Sequence, residues 1–265
     1  MIKNRLLTSV AVIAVFLIAY YGRRIVDHLF DIQIQSYYLR VFYAYSFWVI
    51  PTAVFVFFTE KRHGFSRILG LDRGIGKALL FAGFAVSPMF ISSAIAGSVN
   101  PDVYNFSEGG VHAFQLVSKT IFAGFFEEYL FRGFLFGLLF LRYGWGFIPA
   151  SVLGAFVFGL GHIYQGNTLS ETAGVFAVTA MGAVWFAWLY IEWDRNLWVP
   201  VFLHVFMNAS WTMFEVSDNA LGGVGVNVFR IITIAITVVF TIRKGKIEGR
   251  KIGKNNLFFS TPING

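Results

Sequence analysis

Five ionisable side chains in the middle of this chain are of types that do acid–base chemistry, and they lie, with the amide of Asn208, in apolar surroundings. Three stretches carry them: Phe125-Phe126-Glu127-Glu128-Tyr129-Leu130-Phe131-Arg132-Gly133, then Phe158-Gly159-Leu160-Gly161-His162, then His204-Val205-Phe206-Met207-Asn208. Ionisable groups in hydrocarbon are expensive to hold, so each is a candidate for function. Glu128 and Arg132 are four residues apart and share one helical face, with the acid on the favourable N-terminal side. Such a pair neutralises itself in a low dielectric, which suits a structural clamp as well as direct chemistry. Glu127 is turned roughly 100° away from Glu128 and lacks that partner, as suits a general base or acid. His204 and Asn208 also share a face. Either histidine alone is as compatible with hydrogen-bonded packing as with catalysis. Histidines on two helices and Glu127 on a third can converge, and Gly124, Gly154, Gly159 and Gly161 would let those helices approach closely. Pro149 fits the first turn of its helix, and Pro200 is expected to kink the chain just before His204.

The elements that must position these groups are membrane helices. Of 265 residues, 57% are hydrophobic and only 13% charged, with 32 Phe and 7 Trp; a soluble chain is about a quarter charged. Runs near the roughly 20 residues needed to cross a bilayer predict an all-α, polytopic helix bundle with spans at 6–22, 41–59, 78–97, 114–141, 147–163, 172–191, 197–214 and 225–242. No polar stretch suggests a second unit, so residues 1–265 are read as a single membrane-embedded domain. The first span ends in Gly22-Arg23-Arg24 without a small-residue cleavage site, and is read as a retained anchor. Lys119 and Arg230, near the outer ends of their spans, are expected to snorkel to the interface. The absence of cysteine excludes disulfides, thiolate metal sites and a cysteine nucleophile.

Charge gives an orientation. With eight spans, the side holding both termini carries fifteen Lys and Arg, among them Lys61, Arg62, Arg67, Arg73, Lys77 and the basic tail, against Arg23, Arg24 and Arg40 on the other. Cytoplasmic loops collect such residues, which argues for cytoplasmic termini in a cell membrane. The net charge of +7 then reflects orientation and anionic headgroups, with no need of nucleic acid.

Glu-Glu-x-x-x-Arg at 127–132, Phe-x-x-x-His at 158–162 and His-x-x-x-Asn at 204–208 resemble the CPBP family, the group of CAAX prenyl proteases and bacteriocin-processing enzymes also called Abi proteins. The resemblance covers residues 114 to 214 and implies an intramembrane endopeptidase of glutamic type acting on membrane-associated protein or peptide substrates, prenylated or exported. By that resemblance Glu127, helped by His162, would activate water, while His204 and Asn208 would stabilise the oxyanion. Glu128 and Arg132 would support the helix. No cofactor is expected on this reading. An alternative within the same family is zinc-dependent, with Glu127, His162 and His204 as ligands and an open fourth position, although no His-Glu-x-x-His motif is present. Aspartyl and rhomboid-type intramembrane proteases need membrane aspartates or a Gly-x-Ser-Gly nucleophile, and neither occurs. A proton-coupled transporter also uses buried Glu, His and Arg, but the two halves of the chain share no repeat pattern. A non-catalytic membrane protein that keeps the motifs for structure is a third reading.

Overall fold

The computed structural model of the protein describes residues 2–60, 64–96, 110–214 and 216–261. Within them the chain is helical: α1 Ile2–Phe30, α2 Tyr37–Thr59, α3 Phe65–Leu69, α4 Ile75–Ala96, α5 Val111–Val117, α6 Ala123–Glu128, α7 Phe147–His162, α8 Leu169–Glu192, α9 Trp198–Met213 and α10 Val224–Glu248. Among the described residues six helices are long and apolar enough to cross a membrane by themselves, and the protein is an integral, multi-pass membrane protein. The expected fourth span is one continuous helical run over residues 111–142. It alternates α segments with the wider π turns Ser118–Phe122, Tyr129–Phe136 and Leu138–Arg142. Such turns are uncommon and recur at functional sites.

That run is the centre of the bundle. Every residue from Glu128 to Leu141 is buried, as expected of a helix that is apolar on all sides. Phe16 of α1, Phe158 of α7 and Phe134 of the central run belong to one continuous core. A second core joins α4 to α8 and α9 through Ala82, Val86, Met89, Phe186 and Leu203. The outer faces of α1 and α2, with Leu17, Ile18, Phe57 and Phe58, remain exposed, as lipid-facing surface should.

Two expectations are corrected and one element is added. The first helix does not stop at Gly22-Arg23-Arg24. It continues to Phe30, stabilised by an Arg23–Asp27 pair at 2.8 Å one turn apart, so that Gly22 lies inside a helix and packs toward Phe47. Arg230 does more than snorkel, because its guanidinium donates to the Ala220 carbonyl at 2.9 Å and lies 4.6 Å from the Trp211 ring. A short helix, α3, was not expected. Its C-terminal Gly70 has φ +74°, and a side chain there would meet the Arg195 carbonyl. Leu197 donates its backbone N–H to the Gly70 carbonyl at 3.1 Å, so this junction sets the start of α9. Lys119 is exposed, in keeping with its expected place. Lys61, Arg62 and the last residue of the expected third span, 97, lie outside the described residues.

The end of the bundle that holds both termini is closed by polar contacts. Buried Glu60 accepts from Arg142 at 2.8 Å and from the Tyr143 hydroxyl at 2.9 Å. Buried Glu192 accepts from the backbone N–H groups of Lys251 and Ile252. The tail then runs on to α7, whose first free N–H groups, on Gly146 and Ile148, donate to the Phe258 and Leu257 carbonyls. These are donors a helix N-terminus leaves unpaired.

Candidate active site

Glu127 and Glu128 close the last turn of α6, just before the buried π turn that carries Arg132. What brings them to α9 is Gly124. A Cβ there would sit 2.6 Å from Val205 Cγ2 and 2.9 Å from the Val205 backbone nitrogen, so only glycine lets the two helix backbones approach this closely. Val205 adjoins His204, and the contact sets the imidazole against the two carboxylates.

Glu128 is fully buried and at the hub. Its Oε1 accepts from Arg132 Nη1 at 3.0 Å and from His204 Nδ1 at 2.8 Å. A carboxylate can only accept, so the Nδ1 proton of His204 is committed to Glu128 and Nε2 is the free nitrogen. Nε2 faces Glu127 Oε2 across 3.8 Å, too long for a hydrogen bond. Oε2 of each glutamate is buried without a hydrogen-bond partner, while the Glu127 side chain as a whole keeps 19% of its exposure. Arg132 has further compensation for burial, because its guanidinium lies 4.9 Å from the Phe158 ring and 5.5 Å from the Phe186 ring. Charge over an aromatic face is worth more when water is excluded.

His162 is the last residue of α7. Its Nδ1 hydrogen-bonds the Phe158 carbonyl oxygen at 2.7 Å, so this imidazole also presents Nε2. Its ring lies 4.5 Å from that of Phe158, which in turn lies 6.4 Å from the His204 ring. Phe158 thus stands between the two histidines and against Arg132. Asn208, one turn beyond His204, donates through Nδ2 to the Lys119 backbone carbonyl at 3.2 Å and keeps a second N–H. Gly159 and Gly161 admit close neighbours as expected, Phe176 of α8 and the Tyr20 hydroxyl of α1 respectively. Gly154 has only an ordinary contact, with Leu135.

The sequence reading placed Glu128 with Arg132 alone, and its bond to His204 is additional. No periodicity within one helix reports a contact across 76 residues. Phe186 was also missed, since one more Phe among 32 carries no signal until a cation lies on it. Among the described residues, no three His, Asp or Glu side chains form a group spaced to hold a metal ion. The zinc set of Glu127, His162 and His204 is therefore not assembled as ligands, and no step is derived through a metal.

Residues 110–210 match the sequence model of a family described as type II CAAX prenyl endopeptidase Rce1-like. No curated protein and no solved structure matches the chain. The match covers the stretch that holds all three motifs and the Glu, Arg, His and Asn side chains just described. It bears out the likeness to CAAX-type proteases, and with it the assignment of the chain as a hydrolase that cuts peptide bonds in the membrane.

Proposed function

Starting from a membrane endopeptidase with a CAAX-protease segment at 110–210, we propose a metal-free glutamic mechanism in which Glu127 is the base. The observation that carries this reading is the division of labour between adjacent carboxylates. Glu128 Oε1 holds both Arg132 and His204, whereas Glu127 has neither cation within hydrogen-bond distance and its Oε2 faces the free nitrogen of His204. Glu127, helped by His162, takes a proton from water as the oxygen attacks the scissile carbonyl carbon. His204 donates to the oxyanion from Nε2. It can do so only as an imidazolium, because its other N–H is committed to Glu128. Two carboxylates and two cations then leave the cluster neutral, which makes its burial tolerable. The second N–H of Asn208 supplies another donor. As the tetrahedral intermediate collapses, the C–N bond breaks and Glu127 returns its proton to the leaving amine. Donors fixed in a dry site are commonly the largest catalytic contribution, and losing one costs about 10²–10³ in rate.

The substrates are membrane-associated proteins or peptides. Geometry and charge together favour exported ones over cytosolic prenylated tails. His162 ends α7 at the end of the bundle opposite both termini, next to exposed Ile163 and Tyr164. If the Lys and Arg asymmetry reports cytoplasmic termini, the site opens toward the outer half of a cell membrane.

Three measurements test this. Glu127→Gln, assayed on a quenched-fluorescent farnesylated CAAX peptide and on a quenched transmembrane peptide in proteoliposomes, should abolish cleavage by about 10³-fold or more at normal yield; full activity would sink the mechanism. Activity in strong chelator with substoichiometric bound metal is expected, and one tightly bound zinc needed for turnover would hand the case to the metal version. Single cysteines at Tyr164 and Lys254, labelled on intact cells with an impermeant thiol reagent, should react at 164 only. The reverse pattern would return cytosolic prenyl proteins to first place.

A further inference from the structure

Asn208 is held by a main-chain oxygen. Its Nδ2 donates to the Lys119 carbonyl at 3.2 Å. A carbonyl only accepts, so this bond fixes which end of the amide faces Lys119. Turned over, the side chain would put Oδ1 where Nδ2 stands, and a lone pair would meet the developing oxyanion in place of the second N–H. The chemistry therefore depends on where the Lys119 carbonyl points. Lys119 lies in the π turn Ser118–Phe122, and buried hydroxyls hold the entry to that turn. Ser118 Oγ donates to the Gln115 carbonyl at 2.9 Å, and Thr120 Oγ1 donates to the Leu116 carbonyl at 2.7 Å, the back-bonding that bends helices. A hydroxyl carries one proton, and that of Ser118 is committed to Gln115. The Tyr37 hydroxyl, 2.7 Å from Ser118 Oγ, is consequently the donor in the bond between them. Tyr37 is the first residue of α2, and its ring meets Phe114 edge-on at 5.9 Å. Hydrogen bonds thus run from α2 through Tyr37 and Ser118 to the backbone one residue before the carbonyl that orients Asn208. The segment matched to the CAAX proteases begins at residue 110, so Tyr37 joins the site from outside it.

Resting on the reading of Asn208 as an oxyanion donor, we propose that Tyr37 and Ser118 are positioning residues of this site. They hold the π turn so that the Lys119 carbonyl meets the Asn208 amide, and the amide's remaining N–H is fixed toward the oxyanion. Neither residue touches substrate. Their effect falls on turnover, because the oxyanion forms only on attack, and a donor aimed at it stabilises the transition state more than the bound substrate.

The test uses full-length enzyme in proteoliposomes and whichever quenched peptide it cleaves. Tyr37→Phe removes one hydroxyl and keeps the ring against Phe114, so KM should stay near wild type while kcat falls about 3- to 10-fold, the worth of a neutral hydrogen bond. Ser118→Ala, which also gives up the bond to Gln115, should lower kcat at least as far. Asn208→Ala alone should cost about 10²–10³ in kcat. In that background, adding Tyr37→Phe should cost nothing more, because the amide it orients is gone. A role in stability alone would lower kcat by the same factor in both backgrounds, and that result would overturn the proposal. So would wild-type kcat in Tyr37→Phe and Ser118→Ala. Failure here is separable from failure of the wider mechanism. A crippled Asn208→Ala beside fully active Tyr37→Phe and Ser118→Ala removes only the positioning pair, whereas a fully active Asn208→Ala removes the oxyanion reading and this proposal with it.

Discussion

The central helical run meets carboxylates at its C-terminal end and again in its middle, and the two places treat them differently. Near Arg142, Glu60 has both oxygens filled, one by the guanidinium and one by the Tyr143 hydroxyl. Glu192, the last residue of α8, is likewise filled on both oxygens, by two backbone N–H groups. Midway along the run, Glu127 and Glu128 each retain an oxygen without a partner. Native interiors rarely leave buried polar atoms unpaired, because each costs about 1–3 kcal/mol. Carboxylates that only hold helices together are saturated. Those with acceptor capacity to spare are where a water or a substrate has something to bind. The same helix is thus fastened at one end and left with spare acceptors in the middle.

The largest blow to that contrast should come from Glu128→Gln. It leaves the Arg132 guanidinium and the His204 imidazole without their anion inside the bundle, and breaking a buried pair on one side costs about 3–5 kcal/mol. Thermal unfolding in detergent should shift down strongly and cleavage should be lost. A stable, active Glu128→Gln would mean that the hub is not a hub. Gly124→Ala comes next. Its Cβ must push against the Val205 backbone, an overpacking cost of about 1–3 kcal/mol, and α9 should move away from Glu127. Cleavage should drop by about 10²-fold, the scale of a 1 Å misplacement, with a smaller loss of melting temperature than for Glu128→Gln.

Glu60→Gln should sharpen the comparison from the other end. It ought to lower the melting temperature, by a loss of about 1–3 kcal/mol, and leave the rate per folded molecule within about twofold. A large loss of rate without a loss of stability would show that the fastened end also shapes the site. The smallest effect concerns Asp194, in the turn between α8 and α9. Partial burial pushes its carboxyl up, but hydrogen bonds and charge from Lys244 and Lys251 outweigh this and hold it below its ordinary value. A carboxyl depressed by folding contributes stability above its unfolded value and loses it as the pH falls through the folded one. With the Asp194 side chain 47% exposed, solvent screening limits this to about 0–1 kcal/mol. Acidification from pH 6 to pH 3 should therefore lower the wild-type melting temperature slightly more than that of Asp194→Asn; equal slopes would remove Asp194 from the account.

How much was legible beforehand follows from the range of each interaction. Apolar length fixed the helices: the expected spans at 147–163 and 172–191 are α7 Phe147–His162 and α8 Leu169–Glu192, because a bilayer demands about 20 apolar residues whatever surrounds them. The Glu128–Arg132 pair was legible for a similar reason, since i,i+4 neighbours meet on any helix. Gly124 could be singled out as a place of close approach, but the residue that approaches it could not be named.

What only the tertiary structure decided depends on contacts between helices distant in sequence. His204 binds Glu128 across 76 residues, Arg132 rests between rings from α7 and α8, and Tyr20 meets Gly161 across the bundle. The sequence determined by itself which groups were too costly to be buried idly, because the price of charge in hydrocarbon belongs to the residue and its immediate surroundings. Which of two adjacent glutamates is spent and which is spare was decided by packing. Rotation about the helix axis separates them by only about 100°, and it is the approach of α9 at Gly124 that gives one of them a partner.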